Sequence, residues 1–287
     1  LLFHVVGGDP VLLMLGKHAN AKLMDEWRQE LGLNRPLIEQ FWIYCKQVLT
    51  LDFGRSYATR ETVGEMLWNG VGPSLSLTTV AFSMTLFLSL SIALLVSYWR
   101  GKWIDRFVIV LCVVGISVSS LAFIVFGQYV LAYQLGWFPI SGYEAALSER
   151  FKYILLPSVL WVMVALGTDV RFFRTAILDE TYQDYVRTAR AKGLSEVIIF
   201  GKHILKNGMI PILTYVVIEI PFLILGALLL ENFFGIPGLG SMTIDALHHS
   251  DWPVLKAMFP LVAILFMLGQ LLTDILYTWV DPRVTLR

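Results

Sequence analysis

The chain has 287 residues, of which 56% are hydrophobic and 15% are charged, and its formal net charge at pH 7 is zero. A soluble domain of this length needs far fewer apolar side chains to fill its core, so the composition excludes an ordinary soluble protein and indicates a polytopic membrane protein. Zero net charge provides no overall attraction for nucleic acid. The two cysteines, Cys45 and Cys112, lie in very different predicted environments, which favours neither a disulfide nor a thiolate metal site.

Five segments are apolar over about the 20 residues that a helix needs to cross a bilayer. They are predicted at 75–99, 104–131, 154–171, 210–230 and 257–280. The first six residues resemble the end of a further apolar segment, and they lack the basic start and cleavage site of a signal peptide. We therefore expect a truncated first span before the chain, an extracytoplasmic segment at 1–73 and a transmembrane domain at 74–287.

Orientation is predicted from lysine and arginine, which are in excess in cytoplasmic loops. The links at 99–106 and 171–206 are rich in cations, whereas the link at 231–253 contains no lysine or arginine. The first two should face the cytoplasm and the last should face outward. With the first span restored, both termini of the full-length chain are expected in the cytoplasm, and the protein is expected in a bacterial plasma (inner) membrane.

A cationic insert between two spans, 184–194 with the sequence DYVRTARAKGL, predicts a short amphipathic helix on the cytoplasmic side. The apolar face is expected to contain Tyr182, Tyr185, Val186 and Ala189. Thr181 and Asp184 fit a capping box at the start, and Gly193 suits the turn at the end. Ser195 is expected to cap a second helix that leads back into the bilayer. A solvated basic loop that merely satisfies the orientation rule remains the alternative.

This insert, followed by KHILKNGMIPIL at 202–213, resembles the EAA loop of ABC-transporter permeases in the dipeptide, oligopeptide and nickel importer family. In that family the loop, here 176–208, inserts a coupling helix into a groove of the ATPase subunit. The resemblance implies the following ATPase-coupling residues: Tyr185, Arg187, Thr188, Ala189, Arg190, Lys192, Gly193 and Leu194. The sequence departs from the general loop at Arg187, which replaces an acidic residue, and at Lys206, which replaces a proline.

Other matches occur in the same order along the chain as in the family. They are GGDPVLLMLG at 7–16, LGLNRPL at 31–37, DFGRS at 52–56, ENFFGIPGLG at 231–240 and DILYTWVDPR at 274–283. Order and spacing together make the resemblance specific. It implies an all-α polytopic fold, the transmembrane domain of a type I ABC importer, and a role as the first of two membrane subunits.

The resemblance also implies function and partners. The chain would form half of a path for short peptides, with a second homologous permease, two ATPase subunits and an extracytoplasmic substrate-binding protein. No GxxxxGK[ST] phosphate loop is present, so the chain is not expected to be an enzyme or to bind a cofactor, and ATP belongs to the partners. Import of nickel or another small solute is an alternative. An ion-coupled secondary transporter is less favoured because no internal repeat is evident, and an intramembrane enzyme is least favoured because HExxH and GxSxG motifs are missing.

Glu219 is the sharpest candidate for the translocation path, because a carboxylate inside a span costs roughly 2.5 to 3.5 kcal/mol unless it is paired or wetted. A structural carboxylate bonded to a neighbouring helix is the alternative. Pro221 and Gly226 are expected to loosen the helix nearby. The charges expected to snorkel or pair at the membrane interfaces are Asp169, Arg171, Arg174 and Asp274. The outward residues His248, His249 and Asp251 suggest metal ligands, but no third spaced ligand follows, so no metal site is predicted.

Overall fold

The computed structural model describes residues 11, 20–30 and 34–280. Its α-helices are α1 (Ala21–Glu30), α2 (Leu37–Thr50), α3 (Val63–Tyr98), α4 (Trp103–Ser117), α5 (Ser120–Gly127), α6 (Leu147–Thr181), α7 (Asp184–Ala191), α8 (Glu196–Ile198), α9 (Leu205–Glu219), α10 (Phe222–Leu225), α11 (Leu228–Phe234), α12 (Leu239–His248) and α13 (Trp252–Val280). Two π-helical segments are π1 (Gln128–Gln134) and π2 (Ile199–Ile204). Most of the landmark at 7–16, the start of 31–37 and the end of 274–283 lie outside the described residues.

Four helical stretches are long and apolar enough to cross a membrane, namely Val63–Tyr98, Glu149–Thr181, Glu196–Phe234 and Trp252–Ile275. A fifth candidate is a pair of helices, Trp103–Ser117 and Ser120–Gln134, which meet at 90°. The five predicted spans correspond to these elements. The apolar span predicted at 104–131 is broken into two helices, because Val118 and Ser119 leave the helical conformation and turn the chain sharply.

The helix α3 begins at Val63, well before the predicted start at residue 75. Thr62 supplies the reason, because its hydroxyl accepts a hydrogen bond from the backbone N–H of Glu65 at 3.4 Å and donates to the Glu65 carboxylate at 2.7 Å. Such a cap satisfies donors that the first turn of a helix leaves free. Pro73 lies inside α3 and does not end it.

Small side chains allow α3 and α6 to approach closely over most of their length. The buried positions of α3 include Gly70, Ser74, Ala81, Ser89 and Ala93. Small residues are typical where membrane helices pack together, because lipid offers no hydrophobic drive for their association. The helices α3 and α6 therefore form the central pair of the bundle.

Two clusters of buried apolar residues mark opposite ends of this pair. One cluster joins α3, α6 and α11, and includes Leu77, Leu160 and Phe234. The other joins α3, α6, α7, π2 and α9, and includes Ala93 and Phe173. We call the side of the bundle that carries α7 the α7 end, and the opposite side, which carries α12, the α12 end.

Candidate coupling helix and buried polar sites

The helix α7 is anchored to the bundle by its apolar face. The side chains of Val186 and Ala189 are buried, and they pack in the cluster that contains Phe173, Ile177 and Ile204. The predicted amphipathic helix is therefore present. The prediction for Tyr182 is wrong, since this residue precedes α7 and is 60% exposed.

The start of α7 differs from the prediction. Gln183 is the N-cap residue and makes no capping hydrogen bond through its side chain. Thr181 ends α6 instead, and its hydroxyl donates to the carbonyl of Ile177 at 3.3 Å. The predicted capping box of Thr181 and Asp184 is wrong, because the preceding helix continues to Thr181 and takes its hydroxyl as an internal donor.

The end of α7 follows the predicted glycine turn. Gly193 has φ = 78°, a conformation that side chains with a Cβ adopt at a cost. Its N–H donates to the carbonyl of Arg190 at 2.9 Å, and the N–H of Leu194 donates to the carbonyl of Ala189 at 3.3 Å. These two bonds form a Schellman motif, which ends the helix and satisfies its last carbonyls.

The outward face of α7 and the following turn are polar and cationic. The exposed residues include Arg187, Thr188, Arg190, Lys192, Gly193 and Leu194, and also Asp184, which lies 3.5 Å from the Arg187 guanidinium. Arg190 makes a bidentate pair with Glu196 at 2.8 and 3.2 Å, which ties the turn to α8. Ser195 lies at the N-cap of α8, but its side chain makes no capping hydrogen bond. Of the predicted coupling residues, Ala189 is buried and Tyr185 is partly buried.

Tyr185 links α7 to the end of α6. Its hydroxyl donates to the carboxylate of Glu180. Burial, together with this hydrogen bond, raises the pKa of Tyr185 to about 12. The phenol therefore remains protonated near neutral pH and keeps its role as a donor.

Glu219 is the last residue of α9 and is partly buried. One helical turn earlier on α9, the hydroxyl of Tyr215 donates to the carboxylate of Asp169 at 2.9 Å. Asp169 lies on α6 with only 6% of its surface exposed. The structure thus brings Glu219 and Asp169 near each other, a grouping that the sequence did not predict. Just beyond Glu219 the helix breaks, and Gly226 takes φ = 78°.

The interfacial charges on α6 divide into paired and exposed groups. Asp169 pairs with a tyrosine, as described above, and Arg174 makes two hydrogen bonds of 2.9 Å to Asp105 on α4. Arg171 is exposed. The expectation of pairing is therefore confirmed for Asp169 and Arg174, while the partner of Arg174 was not foreseen.

A buried carboxylate, Glu231, organises the α12 end. It is fully buried and accepts four hydrogen bonds: from the Ser74 hydroxyl at 2.8 Å and from the N–H groups of Ala227, Gly240 and Ser241 at 3.0, 2.7 and 3.2 Å. The residue therefore joins α3, α11 and the N-terminus of α12. In the sequence, Glu231 is the first residue of the ENFFGIPGLG motif, and the motif alone predicts no separate role for it. The sequence does contain a signal for this site: a single acidic residue follows an apolar span and precedes a glycine-rich turn.

The close approach around Glu231 requires glycine. A Cβ built on Gly240 would lie 2.8 Å from the Glu231 carboxylate and 2.8 Å from the Cα of Leu228. Real Cβ contacts are not that short, so the glycine-rich turn after α11 is explained by the carboxylate that it surrounds.

Asp251 is a second buried carboxylate that accepts hydrogen bonds. In the sequence it stands out only as a possible metal ligand beside His248 and His249. It is 2% exposed, and it accepts hydrogen bonds from the hydroxyl of Ser56 and from the N–H groups of Tyr57 and Ala58. This carboxylate clamps the loop before α3 onto the turn between α12 and α13. Among the described residues, no group of three or more potential ligands is placed to hold a metal ion.

An open cavity of about 680 Å³ lies at the α12 end, between the loop before α3 and α12. Its lining includes the exposed carboxylates of Glu61 and Asp245, the amide of Asn69 and the side chains of Met66 and Met242. The cavity therefore offers negative charge beside apolar surface.

Comparison with known protein families places this arrangement in context. The pattern of the family described as binding-protein-dependent transport system inner membrane component matches residues 67–286. The pattern described as the N-terminal part of such membrane components matches residues 1–78. Together the two patterns cover nearly the whole chain.

Curated relatives match over almost their entire length. The glutathione transport system permease protein GsiC of Shigella flexneri serotype 5b (strain 8401) is 34% identical over 284 residues, which are 99% of this chain and 91% of the relative. The GsiC protein of Salmonella typhimurium (strain LT2) is also 34% identical over the same shares, and that of Escherichia coli (strain K12) is 33% identical.

Solved structures share the fold. The MetNI methionine ABC transporter in an inward-facing conformation gives a TM-score of 0.56 at 18% identity, covering 75% of this chain and 96% of that chain. An amino acid ABC transporter crystallised with histidines gives a TM-score of 0.54 at 14% identity, covering 77% and 95%. At these identities the likeness supports the helical architecture and carries no information on substrate.

Proposed function

The chain belongs to the family of binding-protein-dependent transport system inner membrane components, and we propose that it carries short peptides as one half of a translocation path. It is a permease subunit of an ABC importer, so ATP hydrolysis lies in partner subunits. The general assembly of such importers comprises a partner permease, ATPase subunits and a binding protein. For this chain we propose one homologous second permease and two ATPase subunits.

The observation that carries the mechanism is the division of α7 into two faces. Arg187, Arg190 and Lys192 are exposed, while Val186 and Ala189 are buried against the bundle. The exposed cations suit a docking groove on an ATPase subunit. Val186 and Ala189 fix α7 to the membrane helices, so a force applied to α7 is passed on to them.

A force on α7 would reach three membrane helices, α3, α6 and α9, at the same time. The cluster beneath α7 contains Ala93 of α3, Phe173 and Ile177 of α6, and Ile212 of α9. Close-packed side chains resist compression and transmit displacement. Docking of an ATPase on α7 would therefore shift α3, α6 and α9 as a group, which is the motion that alternating access needs. In this scheme Ala189 anchors the helix, and Arg187 and Leu194 contact the partner.

The translocation path is proposed to run past Glu219. This carboxylate is partly exposed at the end of α9, where the helix breaks at Pro221 and Gly226. Polar groups inside a membrane are expensive and usually face a wetted pathway. A carboxylate there can pair with the amino group of a passing peptide.

The substrate class rests on two supports. The relatives that match this chain over nearly its full length are named glutathione transport permeases, and glutathione is a short peptide. The cavity at the α12 end presents Glu61 and Asp245 beside methionine side chains, a surface suited to an amine attached to apolar groups. Selection among peptides is proposed to rest largely on the binding protein.

Orientation is proposed from charge. The family is an inner-membrane component, and the α7 end carries the cation-rich links, so this end should face the cytoplasm. The α12 end, with residues 1–73, should face the binding protein, and residues 74–287 should form the membrane domain. In the full-length chain both termini would then be cytoplasmic.

The test is reconstitution of the complete importer in proteoliposomes with a binding protein and ATP inside the lumen. We expect ATP-dependent uptake of labelled glutathione or a related tripeptide, and co-purification of this chain with a second permease and ATPase subunits. Nickel-63 serves as the matched alternative substrate. Uptake of nickel without any peptide uptake, or uptake driven by an ion gradient without ATP, would contradict the proposal.

A further inference from the structure

A short link, residues 99–102, connects α3 to α4 at the α7 end. The first turn of α4 carries Asp105, whose side chain is almost fully buried. Both oxygens of Asp105 accept from the guanidinium of Arg174 on α6, through Nε and Nη2, each at 2.9 Å. The N–H of Gly101 donates to the same carboxylate at 2.8 Å. The carboxylate therefore holds the link and α6 together.

A second contact lies nearer to α7. The guanidinium of Arg100 lies over the ring of Tyr182, 4.6 Å from its centroid. Tyr182 is the C-cap residue of α6, two residues before α7 begins at Asp184. Arg174 and Tyr182 are separated by about 12 Å along a helix with 1.5 Å rise per residue. The link and the start of α4 therefore contact the end of α6 at two positions, Arg174 and Tyr182.

The helix α4 packs directly on α6, where Gly167 lies close to Cys112 and Ile116, but α4 does not enter the apolar cluster beneath α7. As far as the described residues go, the cluster beneath α7 contains side chains of α3, α6, π2 and α9 and none of α4. Apolar packing is non-directional, whereas a bidentate ion pair fixes distance and orientation. The Asp105–Arg174 pair is therefore the contact best suited to move α4 in register with α6.

The helix α4 leads onward to the α12 end. It meets α5 at 90°, and π1 follows α5. The side-chain amide of Gln128 in π1 donates to the carbonyl of Ile140 at 2.8 Å and to that of Phe233 on α11 at 3.1 Å. A displacement of α4 would therefore reach α11, which carries Glu231.

We propose that Asp105 and Arg174 are positioning residues that transmit movement of the coupling helix to α4 and through α5 to the α12 end. This inference rests on the proposed function, in which α7 receives the motion of an ATPase. The anchored core beneath α7 moves α3, α6 and α9, and the ion pair adds the fourth element. Arg100, stacked on Tyr182, reinforces the tie.

The experiment measures ATP hydrolysed per peptide taken up by the reconstituted importer. The variants are Asp105→Asn, Arg174→Gln and the double variant, with Lys152→Gln as control because Lys152 forms an exposed pair with Glu149 at the other end of α6. Each single variant should raise the ratio by about 5-fold or more, the lower range of measured coupling between sites. The double variant should be no worse than either single variant, since both remove one interaction.

Two further variants keep the test decisive. Arg174→Lys retains the charge but not the bidentate geometry, and should raise the ratio less than Arg174→Gln. Arg100→Gln alters an exposed contact and should raise it slightly while the complex assembles normally. An unchanged ratio in the assembled Asp105 and Arg174 variants, or the same change in Lys152→Gln, would overturn the inference. Failure of the unaltered importer to carry peptide with ATP would instead overturn the proposed function.

Discussion

Replacement of Glu231 is expected to loosen the α12 end in proportion to the donors left without an acceptor. One oxygen of Glu231 accepts from the Ser74 hydroxyl and the N–H of Ala227, and the other from the N–H groups of Gly240 and Ser241. Glutamine keeps one accepting oxygen, and its NH2 group cannot accept. The cheaper orientation places NH2 toward Ser74, whose hydroxyl oxygen already accepts from the N–H of Leu239 and can accept once more, and it leaves the N–H of Ala227 as the unsatisfied backbone donor.

The magnitude follows from the donor count. One buried donor without a partner costs about 1–3 kcal/mol, so Glu231→Gln should destabilise the fold by that amount. Glu231→Ala removes all four acceptor contacts and should cost at least about twice as much, less whatever is recovered by water that enters the space. For chains of 150–250 residues about 1 kcal/mol lowers Tm by roughly 2–4 °C, so the glutamine variant should lose roughly 2–12 °C.

The assay is thermal unfolding of the purified protein in nanodiscs, followed by tryptophan fluorescence. Glu144→Gln is the matched control, because Glu144 is exposed near the same end. We expect Tm to fall in the order Glu144→Gln, Glu231→Gln, Glu231→Ala, with the control equal to the parent. Equal Tm values for Glu231→Ala and the control would refute the assignment of Glu231 as the central acceptor.

Three other predictions concern transport and the loop before α3. Gly193→Pro should leave membrane insertion intact but lower uptake about tenfold, because proline cannot adopt φ = 78° or donate to Arg190; unaltered uptake would contradict the coupling role. Glu219→Gln should slow uptake of peptides with a free amine about tenfold and spare N-acetylated peptides; an equal loss for both would favour a structural role. Asp251→Asn should speed trypsin cleavage after Arg60, because the clamp on Ser56 is weakened, and an unchanged rate would exclude that clamp.

The controls for these variants come from the same chain. Arg106→Glu changes an exposed cation at the α7 end outside α7, and should leave uptake unchanged. Glu144→Gln serves for Glu219→Gln. For Asp251→Asn the control is Asp245→Asn, since Asp245 is exposed on α12 and lies outside the clamp.

Features encoded by local periodicity could be predicted from the sequence. The spans follow from apolar length, and α7 follows from the helical spacing of Val186 and Ala189. The turn at Gly193 could also be predicted, because helices commonly end at a residue in the left-handed conformation and glycine adopts it most easily. Each of these depends on neighbours within a few residues or on one continuous segment.

Features that depend on distant partners could not be predicted. The hydroxyl that binds Glu231 is 157 residues away in the chain, and the hydroxyl that binds Asp251 is 195 residues away. A single sequence gives no register between such segments. The 90° bend between α4 and α5 has a weaker local signal, since the segment 104–131 contains no proline and only serines, Ser117, Ser119 and Ser120, interrupt its apolar run at the bend.

Because one carboxylate ties α3, α11 and α12 together, and the N–H of Gly142 donates to the carbonyl of Phe234 at 2.8 Å, the α12 end should behave as one rigid body during turnover. Spin labels at the exposed positions 144 and 247 should keep a constant separation in pulsed dipolar spectroscopy through the whole ATP cycle. Distances that change during the cycle should then be those between this body and labels outside it, such as a label on the second permease.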